Sequence, residues 1–130
     1  MSQSKISSEL EKMIESFEKK ESDFSASVNI KSSFSLFPAH FPDNPILPGF
    51  CQIRLIITAF NKIYGHDFRL SMIRRAKFYN IVKPSERIII ETAFSLQNKT
   101  ADLKTNIRKN TPERTKISFF RLTAVSAEEF

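Results

Sequence analysis

Between Pro38 and Leu55 the chain reads PAHFPDNPILPGFCQIRL, and this stretch holds one of its two histidines, one of its two glycines and its lone cysteine. An imidazole titrates near neutral pH, so His40 is a candidate base for a proton on carbon. Pro42, Pro45 and Pro48 fix their own φ and push the preceding residues towards extended backbone, which predicts a stiffened loop around His40. After Gly49 the apolar residues Ile53, Ile56, Ile57, Phe60 and Tyr64 recur at helical spacing, and Leu55, Ala59 and Ile63 cover other faces. A helix apolar nearly all round is a buried helix. Its first-turn N–H groups, near Gly49 and Phe50, lie at its positive end and can hold an oxygen that gains negative charge. The plainer alternatives are that His40 braces the proline loop and that Gly49 serves only the tight turn.

The pattern His-Phe-Pro-x-x-Pro-hydrophobic-x-Pro-Gly, from His40 to Gly49, resembles the signature of the FabZ/FabA type 3-hydroxyacyl-[acyl-carrier-protein] dehydratases. A second segment, Ala76-Lys77-Phe78-Tyr79-Asn80-Ile81-Val82-Lys83-Pro84-Ser85-Glu86, is similar to the family's strand-turn-strand element KFrrpVxPGD. The resemblance covers roughly 24–125. It implies an α+β hot-dog fold, in which a curved antiparallel sheet wraps one long central helix. It also implies His40 as base, the Gly49 amide as carbonyl-polarising donor, and Phe41, Pro48, Phe50 and Gln52 as substrate-lining residues. The Gln52 position resembles that of dehydratases from aryl polyene pigment clusters.

One position departs from the family. Its helix carries Glu or Asp fourteen residues after the histidine, and here that residue is Arg54, with no acid between Phe50 and Tyr64. A guanidinium stays protonated and cannot act as the proton donor. It can hydrogen-bond a leaving hydroxyl or bind a carboxylate or phosphate. Equally, Arg54, Thr58, Asn61 and Lys62 form the one polar stripe of the helix, so Arg54 can face solvent or a subunit interface. Asp43 on the motif loop is read as a turn residue, and His66 and Asp67 as loop.

The composition, 41% hydrophobic and 26% charged over 130 residues, suits one globular domain. A lone Cys51 excludes an intrachain disulfide and a cysteine metal cluster, and reads as a small buried hydrophobe. No metal or other cofactor is expected. The N-terminus lacks the pattern of a secretory signal and no apolar run is long enough for a membrane span, so a cytoplasmic location is expected. The net charge of +6 is uneven: residues 54–87 hold eight Lys or Arg against two acids, whereas residues 1–23 hold four against six. A basic body asks for an acidic partner. No nucleic-acid motif is visible, and acyl carrier protein with its acyl-phosphopantetheine is what the resemblance implies. Arg74, Arg75, Lys77 and Lys83, which sit in or beside the second motif, are the candidate docking residues.

Ser8-x-x-Glu11 has the form of a capping box, and Leu10, Met13, Ile14 and Phe17 follow at helical spacing, so an amphipathic helix is predicted there. Residues 1–23 are taken as that helix and a connection, and residues 24–130 as a single hot-dog domain. Strands are predicted from Phe24, over Phe68 to Phe78, from Ile88 to Leu96, from Ala101 to Ile107 and from Thr115 to Val125.

Three functions remain open. The first is a dehydratase-like enzyme of fatty-acid or polyketide/polyene lipid synthesis with an altered acid. The second is a non-catalytic subunit that binds acyl-ACP or completes a heterodimer. The third is a thioesterase on the same fold. Hot-dog dimers build each site from two chains, so a homodimer or a heterodimer with a related chain is implied, the latter supplying the acid that Arg54 replaces.

Overall fold

The computed structural model describes residues 3–39 and 42–126. The elements run α1 (Gln3–Met13), β1 (Ile14–Lys19), β2 (Asp23–Asn29), a 3-10 turn at Phe37–Ala39, α2 (Gly49–Tyr64), β3 (Phe68–Phe78), β4 (Arg87–Gln97), β5 (Thr100–Lys109) and β6 (Lys116–Ser126). Six strands form one antiparallel sheet in the order β1-β2-β4-β5-β6-β3. This is the α+β hot-dog layout expected from the sequence.

α2 is buried because its apolar residues cover most of its circumference. Cys51, Leu55, Ile56, Ala59 and Phe60 are all fully buried. One face of each of four strands turns towards it: Phe24, Ala26 and Val28 of β2, Ile88 and Ile90 of β4, Leu103 and Ile107 of β5, and Phe120, Leu122 and Ala124 of β6. Phe60 stacks with Phe24 at 6.4 Å and meets Phe94 at 4.9 Å, so the phenylalanine-rich composition fills the space between sheet and helix. α2 ends where expected, at Gly65, whose φ of 68° is a left-handed cap bonded back to Asn61.

The N-terminal segment differs from its sequence reading. Ser8 lies within α1 rather than at its start, and the helix stops at Met13. Leu10 and Met13 are buried, but Phe17 is 46% exposed and Ile14–Lys19 forms an edge strand paired with β2. The spacing of Leu10, Met13, Ile14 and Phe17 satisfies a helix locally. The open backbone edge of β2 captures the second half of that segment.

The turn before β4 carries a residue that its type does not favour. Ser85 adopts φ of 71°, and its N–H donates to the Ile30 carbonyl at 2.6 Å. It occupies the glycine place of the family's P-G-D turn.

Candidate active site at the start of the central helix

Pro48 caps α2 with extended backbone at φ −65° and ψ 157°, and the Cys51 and Gln52 amides both donate to its carbonyl. Gly49 is therefore the first helical residue, and its own N–H has no acceptor within the helix. The chain leading into it is held from two directions. Leu47 donates to the Val82 carbonyl at 2.8 Å, tying the proline loop to the β3–β4 connection. Its carbonyl accepts from Gln52 Nε2 at 3.4 Å.

Gln52 is buried and faces the sheet. Its Oε1 accepts from Ser118 Oγ of β6 at 2.6 Å, so both ends of the amide are engaged. Pro48 is also buried, whereas Phe50 is 51% exposed on the other side of the first turn. The ring of Phe78, at the end of β3, lies over Gly49: a Cβ there would stand 2.7 Å from Phe78 Cζ. Phe78 meets Phe120 edge-on at 5.5 Å, which fixes one side of the ring. A side chain at residue 49 therefore has to displace the Phe78 ring.

The loop's other end is anchored by α1. Ser35 donates from both its backbone N–H and its hydroxyl to the Glu9 carboxylate, just upstream of the 3-10 turn. Burial would push the Glu9 carboxyl up, but these hydrogen bonds and the nearby Lys5 and Lys12 outweigh it and hold its pKa below the ordinary value. His40 and Phe41 lie outside the described residues.

Arg54 sits one turn into α2 and is half-buried. It lines an open groove of about 880 Å3 between α1, α2 and β3, together with Phe50, Ile53, Ile57, Lys62 and Arg69. The groove has apolar walls and a polar rim on which Arg54, Lys62 and Arg69 outnumber Glu11, which lies 4.0 Å from Lys62. Cys51, three residues before Arg54, is fully buried. Burial pushes its thiol up to about 11, against a smaller opposing pull from Arg54.

Arg74, Arg75 and Lys77 are exposed on β3, and Lys83 is exposed in the β3–β4 connection. Arg74 is engaged, donating to Thr123 Oγ1 at 2.7 Å with Asp102 3.9 Å away. Sequence reasoning missed Ser118, Phe78 and the Glu9–Ser35 pair. The alternation of the last strand did place Ser118 on the same face as Phe120, but only the fold sets it opposite Gln52.

Residues 16–117, most of the chain and including the whole Pro38–Leu55 stretch, match the ApeI-like family, described as ApeI dehydratase. The chain belongs to the ApeI-like dehydratase family. Within curated relatives, this ApeI-like chain is 30% identical over 76 residues to the 3-hydroxyacyl-[acyl-carrier-protein] dehydratase FabZ of Caldanaerobacter subterraneus subsp. tengcongensis, covering 50% of the chain and 51% of that protein. It is 34% identical over 65 residues to FabZ of Lactiplantibacillus plantarum, covering 45% and 44%. The chain spans about half the length of the curated relatives it matches.

Solved structures agree on the hot-dog fold. The dehydratase heterocomplex ApeI:P from Xenorhabdus doucetiae superposes with a TM-score of 0.69 at 15% identity, over 85% of this chain and 94% of that one. A hypothetical thioesterase with coenzyme A from Streptococcus pneumoniae TIGR4 does so with 0.65 at 10% identity, over 97% of each. At such identities the likeness concerns fold alone, and the fold is shared by dehydratases and thioesterases. Among the described residues no group of three or more His, Cys, Asp or Glu could hold a metal ion. No described helix is long and apolar enough to cross a membrane.

Proposed function

We propose that this ApeI-like chain acts on 3-hydroxyacyl thioesters of acyl carrier protein, removing water with His40 as base. The observation that carries this is the helix start, where a glycine N–H without an intrahelical acceptor follows the His-Phe-Pro-x-x-Pro-hydrophobic-x-Pro-Gly loop. His40 takes the Cα proton, and the Gly49 amide holds the thioester oxygen as negative charge builds there. The C–O bond to the hydroxyl then breaks. With Arg54 in place of an acid, the proton that leaves with the hydroxyl is the one His40 has taken, while the guanidinium hydrogen-bonds the departing oxygen. Phe50 and the apolar groove beside it accept the acyl chain, and Gln52 keeps Leu47 and the loop in place. Absence of a separate general acid costs about two to four orders of magnitude in rate.

Dehydration or hydration of a 3-hydroxyacyl/enoyl-ACP pair by the purified chain, with His40→Ala and Arg54→Glu alongside, tests this. Turnover that vanishes in His40→Ala supports the single-base route. No turnover in wild type, together with gain in Arg54→Glu, replaces it with a scaffold whose chemistry depends on a partner. Thioester cleavage without dehydration would make the chain a thioesterase instead.

A second reading is favoured by the edge of the sheet. β3 is an eleven-residue edge strand with ten exposed positions, and such an edge is a template for another strand. It carries Arg69, Arg74, Arg75 and Lys77 and no acid. In regular antiparallel pairing with its own copy, a two-fold at Met72 sets Arg69 against Arg75, and one at Ile73 sets Arg69 against Lys77. A centre at Arg74 or Arg75 sets that residue against itself. Like charges directly opposite are destabilising, so these registers disfavour a second copy and favour a related chain with an acidic edge. That partner would also bring the carboxylate that Arg54 replaces.

A further inference from the structure

The segment 76–86 resembles the family's second motif, yet the helix-start chemistry above leaves its end without a role. That end is built around one peptide unit. The carbonyl of Val82, a fully buried residue, accepts the Leu47 N–H at 2.8 Å, and the N–H on the other side of the same peptide, that of Lys83, donates to Glu86 Oε1 at 2.6 Å. The other carboxylate oxygen, Oε2, accepts from Lys109 Nζ of β5 at 2.9 Å. Lys109 pairs in register with Ile88, two residues on from Glu86. Glu86 stands where the family's P-G-D turn has aspartate, and its longer side chain spans from its own turn to β5. Its backbone is fixed as well, because its carbonyl accepts from the Ile30 N–H at 2.9 Å. Burial would push the Glu86 carboxyl up, but hydrogen bonds from Lys109 and the Lys83 amide, with the charges of both lysines, outweigh it and hold its pKa below the ordinary value. It is a carboxylate at neutral pH.

Hydrogen bonds to a carboxylate are stronger than neutral ones, and bonds in a chain polarise one another. A carboxylate on the Lys83 N–H therefore makes the Val82 carbonyl a better acceptor for Leu47. The Leu47 carbonyl is held in turn by Gln52. From Leu47 the path to the site is one residue long: Pro48 has its φ fixed by its ring at −65°, and the next N–H is that of Gly49. We propose that Glu86 is a positioning residue for the Gly49 N–H, acting through the Val82–Lys83 peptide and Leu47, a proposal that rests on that amide holding the thioester oxygen. Glu86 itself touches no substrate atom. An oxyanion donor works only while it is aimed at the place where charge develops, and a misplacement of about 1 Å costs up to about 100-fold in rate. Without the carboxylate the peptide is free to turn, the Leu47 contact loosens and the Gly49 N–H loses its aim. The two motifs thus meet at this peptide, and the second holds the first.

Gly49 and Gly65 are the chain's two glycines, so protein labelled with 15N-glycine gives one backbone amide signal from each end of α2. Gly65→Asn, at a left-handed position that asparagine tolerates, removes one signal and so assigns the other. Spectra, thermal melting and turnover of a 3-hydroxyacyl/enoyl-ACP pair are compared for wild type, Glu86→Ala and Glu86→Gln. Glu86→Ala is expected to move the Gly49 signal and leave Gly65 in place, with kcat down about tenfold and KM unchanged, the pattern of an interaction lost from the transition state alone. Glu86→Gln keeps an oxygen for the Lys83 N–H without the charge, and should show a smaller change of the same kind; it carries the test if Glu86→Ala does not fold. A Gly49 signal at the wild-type position in the folded variants overturns the proposal. So does equal movement of both glycine signals along with a lowered melting temperature, which is loss of stability at large, and so does a wild-type kcat in a variant whose Gly49 signal has moved. Absence of turnover in wild type removes the dehydratase reading instead, and the glycine signals then still report whether Glu86 sets the Gly49 amide.

Discussion

Ser118 on β6 donates its hydroxyl to Gln52 on α2 across 2.6 Å of the interior, and both residues are 2% exposed. The amide of the same glutamine reaches the Leu47 carbonyl, so one side chain joins sheet, helix and the end of the proline loop. Ser118→Ala leaves a buried carbonyl without its donor. A loss of about 1–3 kcal/mol in urea denaturation is expected. Gln52→Ala in the same background should then cost less than it does alone, because the pair acts as a unit.

Gly49→Ala drives a methyl into the Phe78 ring, and overpacking of this kind costs about 1–3 kcal/mol. Phe78 is more than half exposed and its ring is the end of a side chain, so it can yield. A double-mutant cycle with Phe78→Ala should recover most of the loss. If the cost persists in the double variant, the helix start itself rejects a side chain.

Ser85→Gly should stabilise the fold by about 1 kcal/mol, because a left-handed backbone strains every residue with a Cβ. Its N–H bond to Ile30 is retained by glycine. Equilibrium denaturation of the single variant decides the matter.

Glu9 makes part of the stability dependent on pH. Its carboxyl titrates below the ordinary carboxylate range in the folded chain, so its contribution is complete at neutral pH and fades as pH falls through the ordinary and then the lowered pKa. Glu9→Gln should flatten the acid limb of a melting-temperature profile while lowering the plateau above it. An unchanged acid limb would mean that the Ser35 contacts add no stability.

Cys51 should resist thiol reagents in the native chain, since burial holds the thiol near 11 and water does not reach it. Labelling at neutral pH is expected to follow global unfolding. Fast labelling of folded protein would show an opening at the first turn of α2.

Self-association should strengthen with salt. The cations of β3 repel across a two-fold edge contact, and screening reduces that repulsion. A copy carrying R69E/R74E/R75E/K77E, mixed with wild type, should form mixed dimers in preference to either homodimer by native mass spectrometry. A tight homodimer insensitive to salt would remove the case for a different partner at this edge.

Local chemistry determined much of this protein from the sequence alone. The boundaries of α2 from Gly49 to Tyr64 follow from continuous apolar spacing, the Pro-Gly start and the Gly65 stop, and β3 runs from Phe68 to Phe78 as expected although Arg74, Arg75 and Lys77 interrupt its polarity. The family followed from a motif of fixed residues at fixed spacing. What the sequence left open depends on contacts between distant segments. Ile14–Lys19 has a helical pattern of its own, and only the free edge of β2 makes it a strand. Ser118 and Phe78 look like ordinary strand residues until strand order and register set them against Gln52 and Gly49. The same holds for Arg75, Arg121 and Lys104, which are far apart in the chain and adjacent only because β3, β6 and β5 are neighbours. Periodicity records which face of an element is buried, whereas pairing across the sheet is decided by the summed packing of the whole chain.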